Sequence, residues 1–264
     1  MAKLPPLAEL ISLRGKRALI TGSATGIGKA IAYRFAEAGA ILELADINKT
    51  GLETTGKQLA SLTEVNTHPI DVSRKEEIDT LWMKLKGKEP DILVNNAGIY
   101  PFKNFLEIDD AFLKKVIAVN MDSAFWMCQN MIKRRARKGG NIINIGSIEA
   151  ILPFAEDLVP YNISKIGVIA LTRALAKEYG KDGFRINVII PGGIITTGTR
   201  GVAKELSRFK IGPLKLGIQF RMRLPLNKGG QPDEVARIAL VLASDLASYV
   251  HGAMIPVDGG FLSA

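Results

Sequence analysis

From Lys16 onward the chain alternates between short, unbroken apolar runs and longer stretches whose apolar residues recur at helical spacing. KRALIT (16–21), AILELAD (40–46), the ILV of PDILVNNAG (90–98), NIINIG (141–146) and FRINVII (184–190) are continuous rather than alternating. That is the pattern of strands covered on both faces. The run Val65–Ile70 contains Pro69, which cannot donate a ladder hydrogen bond and so predicts an edge strand. Helices are predicted after GSATGIG through Gly39, over 48–60, over Ser73–Lys86 and over Asp109–Arg137. Two more follow, one through LTRALAKEYG to a stop at Gly180 and one over Gln231–Ala243, before a last strand at Ala253–Val257. Strict alternation requires a parallel sheet with helices on both faces, a doubly wound α/β fold in the order 3-2-1-4-5-6-7. Gly193–Gly230 breaks the rhythm, and a connection that long predicts a lid or binding segment. With no repeat or linker, residues 1–264 read as one domain, with 1–14 as an N-terminal arm.

Composition narrows this only slightly. The single cysteine, Cys128, excludes an intrachain disulfide framework and fits a reducing, cytoplasmic setting. No apolar run approaches the roughly 18 residues of a membrane span, and the opening residues lack the apolar core of a secretory signal. The net charge of +9 is concentrated at Arg200, Lys204, Arg208, Lys210, Lys215, Arg221, Arg223 and Lys228, and in KRRARK at 133–138. Such clusters are ordinarily solvated faces or helix ends, or else docking sites for anions. Aromatic residues make up 6% of the chain and do not interleave with the 133–138 run, so a nucleic-acid stacking platform is not expected. His68 and His251 read as structural, and no His, Cys and carboxylate spacing suggests a metal.

The candidate chemistry lies at the ends of the apolar runs. Gly22, Gly26 and Gly28 form T-G-x-x-x-G-x-G between a strand and a helix, the context in which backbone amides cradle a pyrophosphate. Asp46 lies 18 residues beyond Gly28, near the spacing at which a carboxylate takes the adenosine ribose hydroxyls. It would repel the extra phosphate of NADP, Ile47 and Asn48 supply no positive charge against it, and NAD is therefore expected. Asp46 could equally cap the next helix. Asp71 ends strand three where it could meet the adenine, and small residues follow Asn95 at Ala97 and Gly98, allowing a ligand close to the backbone. Asn120 could be a solvent-facing polar residue or a buried amide. Tyr161 and Lys165 are i and i+4, so they share a helix face. A lysine ammonium beside a phenol lowers its pKa from about 10, and Ser147 nearby could hold the same reacting oxygen.

Together these residues resemble the short-chain dehydrogenase/reductase family over nearly the whole chain. TGSATGIG (21–28) is similar to its cofactor loop, NNAG (95–98) to its mid-sheet motif, PGGIIT (191–196) to its nicotinamide segment, and DGG (258–260) to its C-terminal turn. The resemblance implies a Rossmann domain and a catalytic set of Asn120, Ser147, Tyr161 and Lys165. Tyr161 would be the general acid/base, Ser147 would orient the reacting oxygen, and Lys165 would lower the tyrosine pKa and bind the nicotinamide ribose. Asn120 would hold a water that links Lys165 to solvent. Cofactor contacts are implied at Ser23, Thr25, Ile27, Ile47, Val72, Pro191 and Gly192, and at Ile194 and Thr196 on the carboxamide. A homotetramer is implied through the helices around Asn120 and Tyr161 and through the last strand. The Ser147–Tyr161 interval is one residue longer than the family's usual spacing, in a loop where Glu149 could meet a polyol or sugar hydroxyl or point to solvent. The expected activity is NAD-dependent interconversion of a secondary alcohol (polyol, sugar or cyclic) and a ketone. The alternative is an NADPH-dependent 3-oxoacyl-thioester reductase; a cofactor-sensing scaffold and an anionic-surface binder are weaker readings.

Overall fold

Seven strands form one parallel sheet in the order β3-β2-β1-β4-β5-β6-β7. The computed structural model describes residues 4–196 and 222–264. The strands are β1 (Arg17–Thr21), β2 (Ile41–Asp46), β3 (Val65–Pro69), β4 (Ile92–Asn95), β5 (Gly140–Ile145), β6 (Phe184–Pro191) and β7 (Met254–Val257). Alternate residues of the central strands feed opposite faces. Ile20, Leu42, Val94 and Ile143 enter one core with Ile31, Phe35, Val235 and Leu242. Leu19, Leu93 and Ile142 enter the other with Trp82, Met127 and Met131. This two-sided burial is why these strands read as continuous apolar runs. The edge strands β3 and β7 are only partly covered, and Pro69 sits on the edge as its missing N–H requires.

The helices are α1 (Leu7–Leu10), α2 (Gly26–Glu37), α3 (Lys49–Leu59), α4 (Lys75–Lys84), α5 (Asp110–Ile117), α6 (Ser123–Arg134), α7 (Val159–Tyr179) and α8 (Pro232–Ala243). Helices α2 and α8 cover one face; α4, α6 and α7 cover the other. A capping box starts α8, with Gln231 and Glu234 exchanging side-chain and backbone hydrogen bonds.

Three details depart from the sequence expectation. The helix expected over Asp109–Arg137 is interrupted by a π-helical turn at Ala118–Asp122 and ends at Arg134. Gly180 caps α7 in the right-handed region (φ −58), and the left-handed stop is Gly183 at φ 83. Gly180 is instead small because a Cβ there would lie 2.8 Å from His251 Nε2. Asn48, not Asp46, caps α3, accepting from Gly51 N at 3.0 Å.

Both histidines are tied into the scaffold. His251 accepts from Ile186 N at Nδ1, so Nε2 carries the proton donated to Ala176 O at 2.8 Å. His68 Nε2 lies 2.6 Å from Glu43, a β2 carboxylate that also pairs with Arg17. Of the basic residues singled out in the sequence, Arg135 binds Gly139 O and Asp91 and so pins the end of α6. Arg200, Lys204, Arg208, Lys210, Lys215 and Arg221 lie outside the described residues, as does most of the expected lid at 193–230. Among the described residues no helix is long and apolar enough to cross a membrane.

Candidate active site

The glycine loop joins β1 to α2, with Gly22 at φ 65 and Gly26 at φ 58, conformations that favour glycine. The amides of Gly26, Ile27 and Gly28 meet no acceptor among the described residues, and the N-cap Thr25 makes no side-chain cap bond. A helix N-terminus with unpaired donors and no acidic residue in its first turn suits a pyrophosphate. Ser23 is buried and braces the loop by donating to Ala45 O. Gly28 packs against Gly22, where a Cβ would stand 2.1 Å from the Gly22 carbonyl oxygen. Gly28→Ala is therefore expected to push the loop off β1, lowering stability by about 1–3 kcal/mol and weakening dinucleotide binding. Melting and a dinucleotide titration on the same sample check this, and wild-type affinity would show that the loop absorbs the methyl.

Asp46 ends β2 facing this loop. Its carboxylate accepts from Ala24 N at 2.9 Å and from Asn48 N at 2.8 Å, which fixes its position and leaves lone pairs for further donors. Ile47 next to it is 71% exposed, available to flank a base. Asp71 accepts from both the amide and the hydroxyl of Ser73, and Val72 is buried in the core beneath. At the end of β4, Asn95 spans to Asn144 on β5 at 2.8 Å and serves as an inter-strand strut. Its neighbour Asn96, which the motif reading passed over, donates to the carbonyls of Thr21 and Gly22 and so locks the glycine loop to β4. The Thr21 hydroxyl completes that lock by accepting from Asn96 N and Ala97 N. The doubled asparagine was the available signal.

The four candidate catalytic residues converge at the carboxyl ends of β4 and β5. Ser147 follows β5, and Tyr161 and Lys165 lie one turn apart near the start of α7. Lys165 is 5% exposed and donates to Ile145 O at 2.8 Å, with its Nζ 5.9 Å from the Tyr161 ring centre. Asn120 is 2% exposed, which settles the choice between surface residue and buried amide. It sits in the π-turn, a feature common at functional sites. Its side chain accepts from Ile99 N and donates to Ile99 O and Ser164 Oγ, tying the segment after NNAG to α7. Gly98 lies between Asn120 and Lys165, and a Cβ there would be 3.3 and 3.5 Å from them.

Burial sets the electrostatics. It pushes the Tyr161 phenol up to about 12, against the hydrogen-bonding influence of Ser147, and the Glu149 charge adds to the rise. It pulls the Lys165 ammonium down to about 8. Both shifts have the same main cause, the shielding of the two groups from water. Glu149 does not face solvent. It accepts from Phe154 N and Ala155 N, and burial raises its carboxyl. Tyr100, another residue the sequence did not single out, stands edge-on to Tyr161 with ring centres 4.6 Å apart.

Pro191, the last residue of β6, is buried, and Gly192 after it packs on Asp258, a Cβ lying 2.7 Å from its Cα. Ile194 bridges to Gly230, and Thr196 comes within 3.5 Å of the Cβ position of Gly26, so the PGGIIT segment closes over the glycine loop. A cavity of about 410 Å³ lies between Ile194, Leu224–Leu226, Lys228 and the Asp258–Gly260 turn; neither Ser147 nor Tyr161 lines it.

The family described as enoyl-(acyl carrier protein) reductase matches residues 22–262. Over 255 residues the chain is 32% identical to 3-oxoacyl-(acyl-carrier-protein) reductase FabG of Aquifex aeolicus, covering 95% of this chain and 98% of that protein. Over 252 residues it is 34% identical to galactitol 2-dehydrogenase (L-tagatose-forming) of Cereibacter sphaeroides, covering 94% and 96%. Its structure is similar to that of L-sorbose reductase from Gluconobacter frateurii complexed with NADPH and L-sorbose, at a TM-score of 0.89 and 32% identity, covering 97% and 99%. Fold, site and relatives agree: the chain belongs to the short-chain dehydrogenase/reductase family and is an oxidoreductase acting on CH–OH groups.

Proposed function

We propose that this protein is an NAD-dependent oxidoreductase that interconverts a secondary alcohol of the polyol, sugar or cyclic class and a ketone. The observation that carries the proposal is the grouping of Ser147, Tyr161 and Lys165 after β5, in the same sheet whose strand β1 leads into the open amides of α2. A nicotinamide dinucleotide held by those amides, Asp46 and the 191–196 segment would supply or accept the hydride. Tyr161 gives its proton to the carbonyl oxygen in reduction and takes it back in oxidation. Ser147 holds that same oxygen in place. Lys165, anchored on Ile145 O, keeps a positive charge near the phenol as its proton leaves. Asn120 maintains the spacing between the NNAG end and α7.

Asp46 supports NAD, because its fixed carboxylate would meet a 2′-phosphate at close range. The L-sorbose reductase structure, with NADPH bound, argues for the phosphorylated cofactor by analogy. Initial rates with NAD and NADP against polyols, sugars, cyclic alcohols and hydroxyacyl thioesters test both points. Turnover of alcohols with NAD is expected, and Asp46→Ser should shift the NAD-to-NADP ratio of kcat/KM at least about ten-fold toward NADP. Turnover of thioesters alone with NADP would favour the second reading, a 3-oxoacyl-thioester reductase, which the FabG similarity supports. Exposed Phe125, Ile163 and Ile166 on α6 and α7 support a homotetramer built through those helices, and the one buried cysteine suits the cytoplasm.

A further inference from the structure

Phe261, just after the 258–260 turn, is fully buried. It shares one apolar cluster with Ile148, Leu152 and Phe154 of the Ser147–Tyr161 loop and with Leu224. Its ring stands edge-on to Phe154, with centres 5.5 Å apart, and the Arg223 guanidinium lies 5.3 Å over it. The turn before it is held independently, because the Asp258 carboxylate accepts from Gly260 N and Leu262 N, both at 2.9 Å. Between Ile151 and Leu158 the loop forms no helix or strand, so its shape rests on contacts such as this one. From Phe154 a connected path leads back to the site. Phe154 N donates to Glu149 Oε2 at 2.9 Å, and Glu149 N donates to Ser147 Oγ at 3.2 Å. That last bond takes a lone pair of the serine oxygen and orients the hydroxyl, whose own proton is left to donate.

We propose that Phe261 is a positioning residue for the Ser147 hydroxyl, acting through Phe154 and Glu149. It holds the far side of the loop, while the Glu149 amide aims Ser147 from the near side. Without the ring, Phe154 and the carboxylate that binds its amide can shift, and the Glu149 amide shifts with them. A displacement of about 1 Å at a reacting group can cost about a hundred-fold in rate. The inference rests on the reading of Ser147 as the group that holds the reacting oxygen. It is independent of substrate class, because a ketone and a 3-oxoacyl thioester both present a carbonyl oxygen to that hydroxyl.

The test is a double-mutant cycle between Phe261→Leu and Ser147→Ala, read in kcat and in Tm. Rates use the fastest substrate among the polyols, sugars, cyclic alcohols and hydroxyacyl thioesters, with its preferred cofactor. Ser147→Ala is expected to lower kcat by about a hundred-fold or more. Phe261→Leu should lower it at least about ten-fold with Ser147 present, and less than about two-fold once Ser147 is gone. Its drop in Tm should be the same in both backgrounds. A purely structural role would lower kcat by the same factor in both, and that result overturns the proposal, as does an unchanged kcat in Phe261→Leu. Phe154→Leu is the second variant: this ring is only partly buried, so the same contact is removed where the fold depends on it less. It should reproduce the pattern, and an equal loss in both backgrounds also counts against the proposal. Full turnover in Ser147→Ala would instead remove Ser147 from the chemistry, and the inference would fall with that reading.

Discussion

Tyr161→Phe is expected to lower kcat for both alcohol oxidation and ketone reduction by at least about a thousand-fold, within the range for losing a general acid/base. The substitution removes one oxygen and leaves the ring that packs on Tyr100. The fold and the glycine loop are untouched, so dinucleotide affinity, followed by fluorescence titration, should stay near wild type. That split matters: loss of rate with retained binding assigns Tyr161 to the chemical step, whereas joint loss would report a damaged cleft. Full residual turnover would remove Tyr161 from the mechanism. The wild-type pH profile supplies an independent reading. Burial holds the Tyr161 phenol up at about 12, so the protonated form needed for reduction persists through neutrality. The base form needed for oxidation gains only as pH rises. Oxidation should therefore climb toward alkaline pH while reduction stays flat before falling.

Most of this architecture was legible because it follows from burial on two faces. Continuous apolar runs such as ILVN and NIINIG can only be strands covered on both sides, and Pro69 can only sit at an edge. The strand–loop–helix context made the glycines at 22, 26 and 28 interpretable, and the i, i+4 spacing placed Tyr161 and Lys165 on one face. The failures are equally physical. One extra residue in a helical turn leaves no periodic trace, so the π-turn at Ala118–Asp122 was invisible within an apolar stretch. Gly180 reads as the stop from the sequence, and only the backbone shows that it is small for His251 and that the left-handed residue is Gly183 at φ 83. Pairing of side chains across elements was also hidden. The contact of Tyr100 with Tyr161, and the capture of Glu149 by Phe154 and Ala155, depend on how two loops fold toward each other. The burial of both groups was equally hidden, and it raises the Tyr161 phenol while lowering the Lys165 ammonium.

Glu43→Leu is expected to destabilise the fold by about 3–5 kcal/mol, the usual result of removing one partner from a buried ion pair. Glu43 is 2% exposed within β2 and accepts from Arg17 on β1, from His68 Nε2 on β3 at 2.6 Å and from Asn66 at 3.2 Å. Three adjacent strands thus meet on one carboxylate at the edge of the sheet. Leucine fills the space but leaves a largely buried guanidinium with only the distant, exposed Glu64 at 3.7 Å. Thermal unfolding at fixed protein concentration should show a drop on the order of 10 °C for a chain of this size; a shift of about a degree would mean the cluster contributes little. Acid offers a second test whose sign is fixed. Burial alone would raise the Glu43 carboxyl, but hydrogen bonds from His68 and Arg17 outweigh it and hold the group below its ordinary value. A depressed native pKa stabilises the fold above the unfolded value of about 4.3, and that stabilisation is lost as pH falls through the native one. Wild type should therefore lose stability in this range more steeply than Glu43→Leu, and the two curves should converge at low pH. The consequence reaches the cofactor site, because Asp46 lies three residues further along the same strand. Loosening β2 and β3 frees the carboxylate that Ala24 and Asn48 hold, so discrimination between NAD and NADP should weaken in Glu43→Leu before the sheet unfolds.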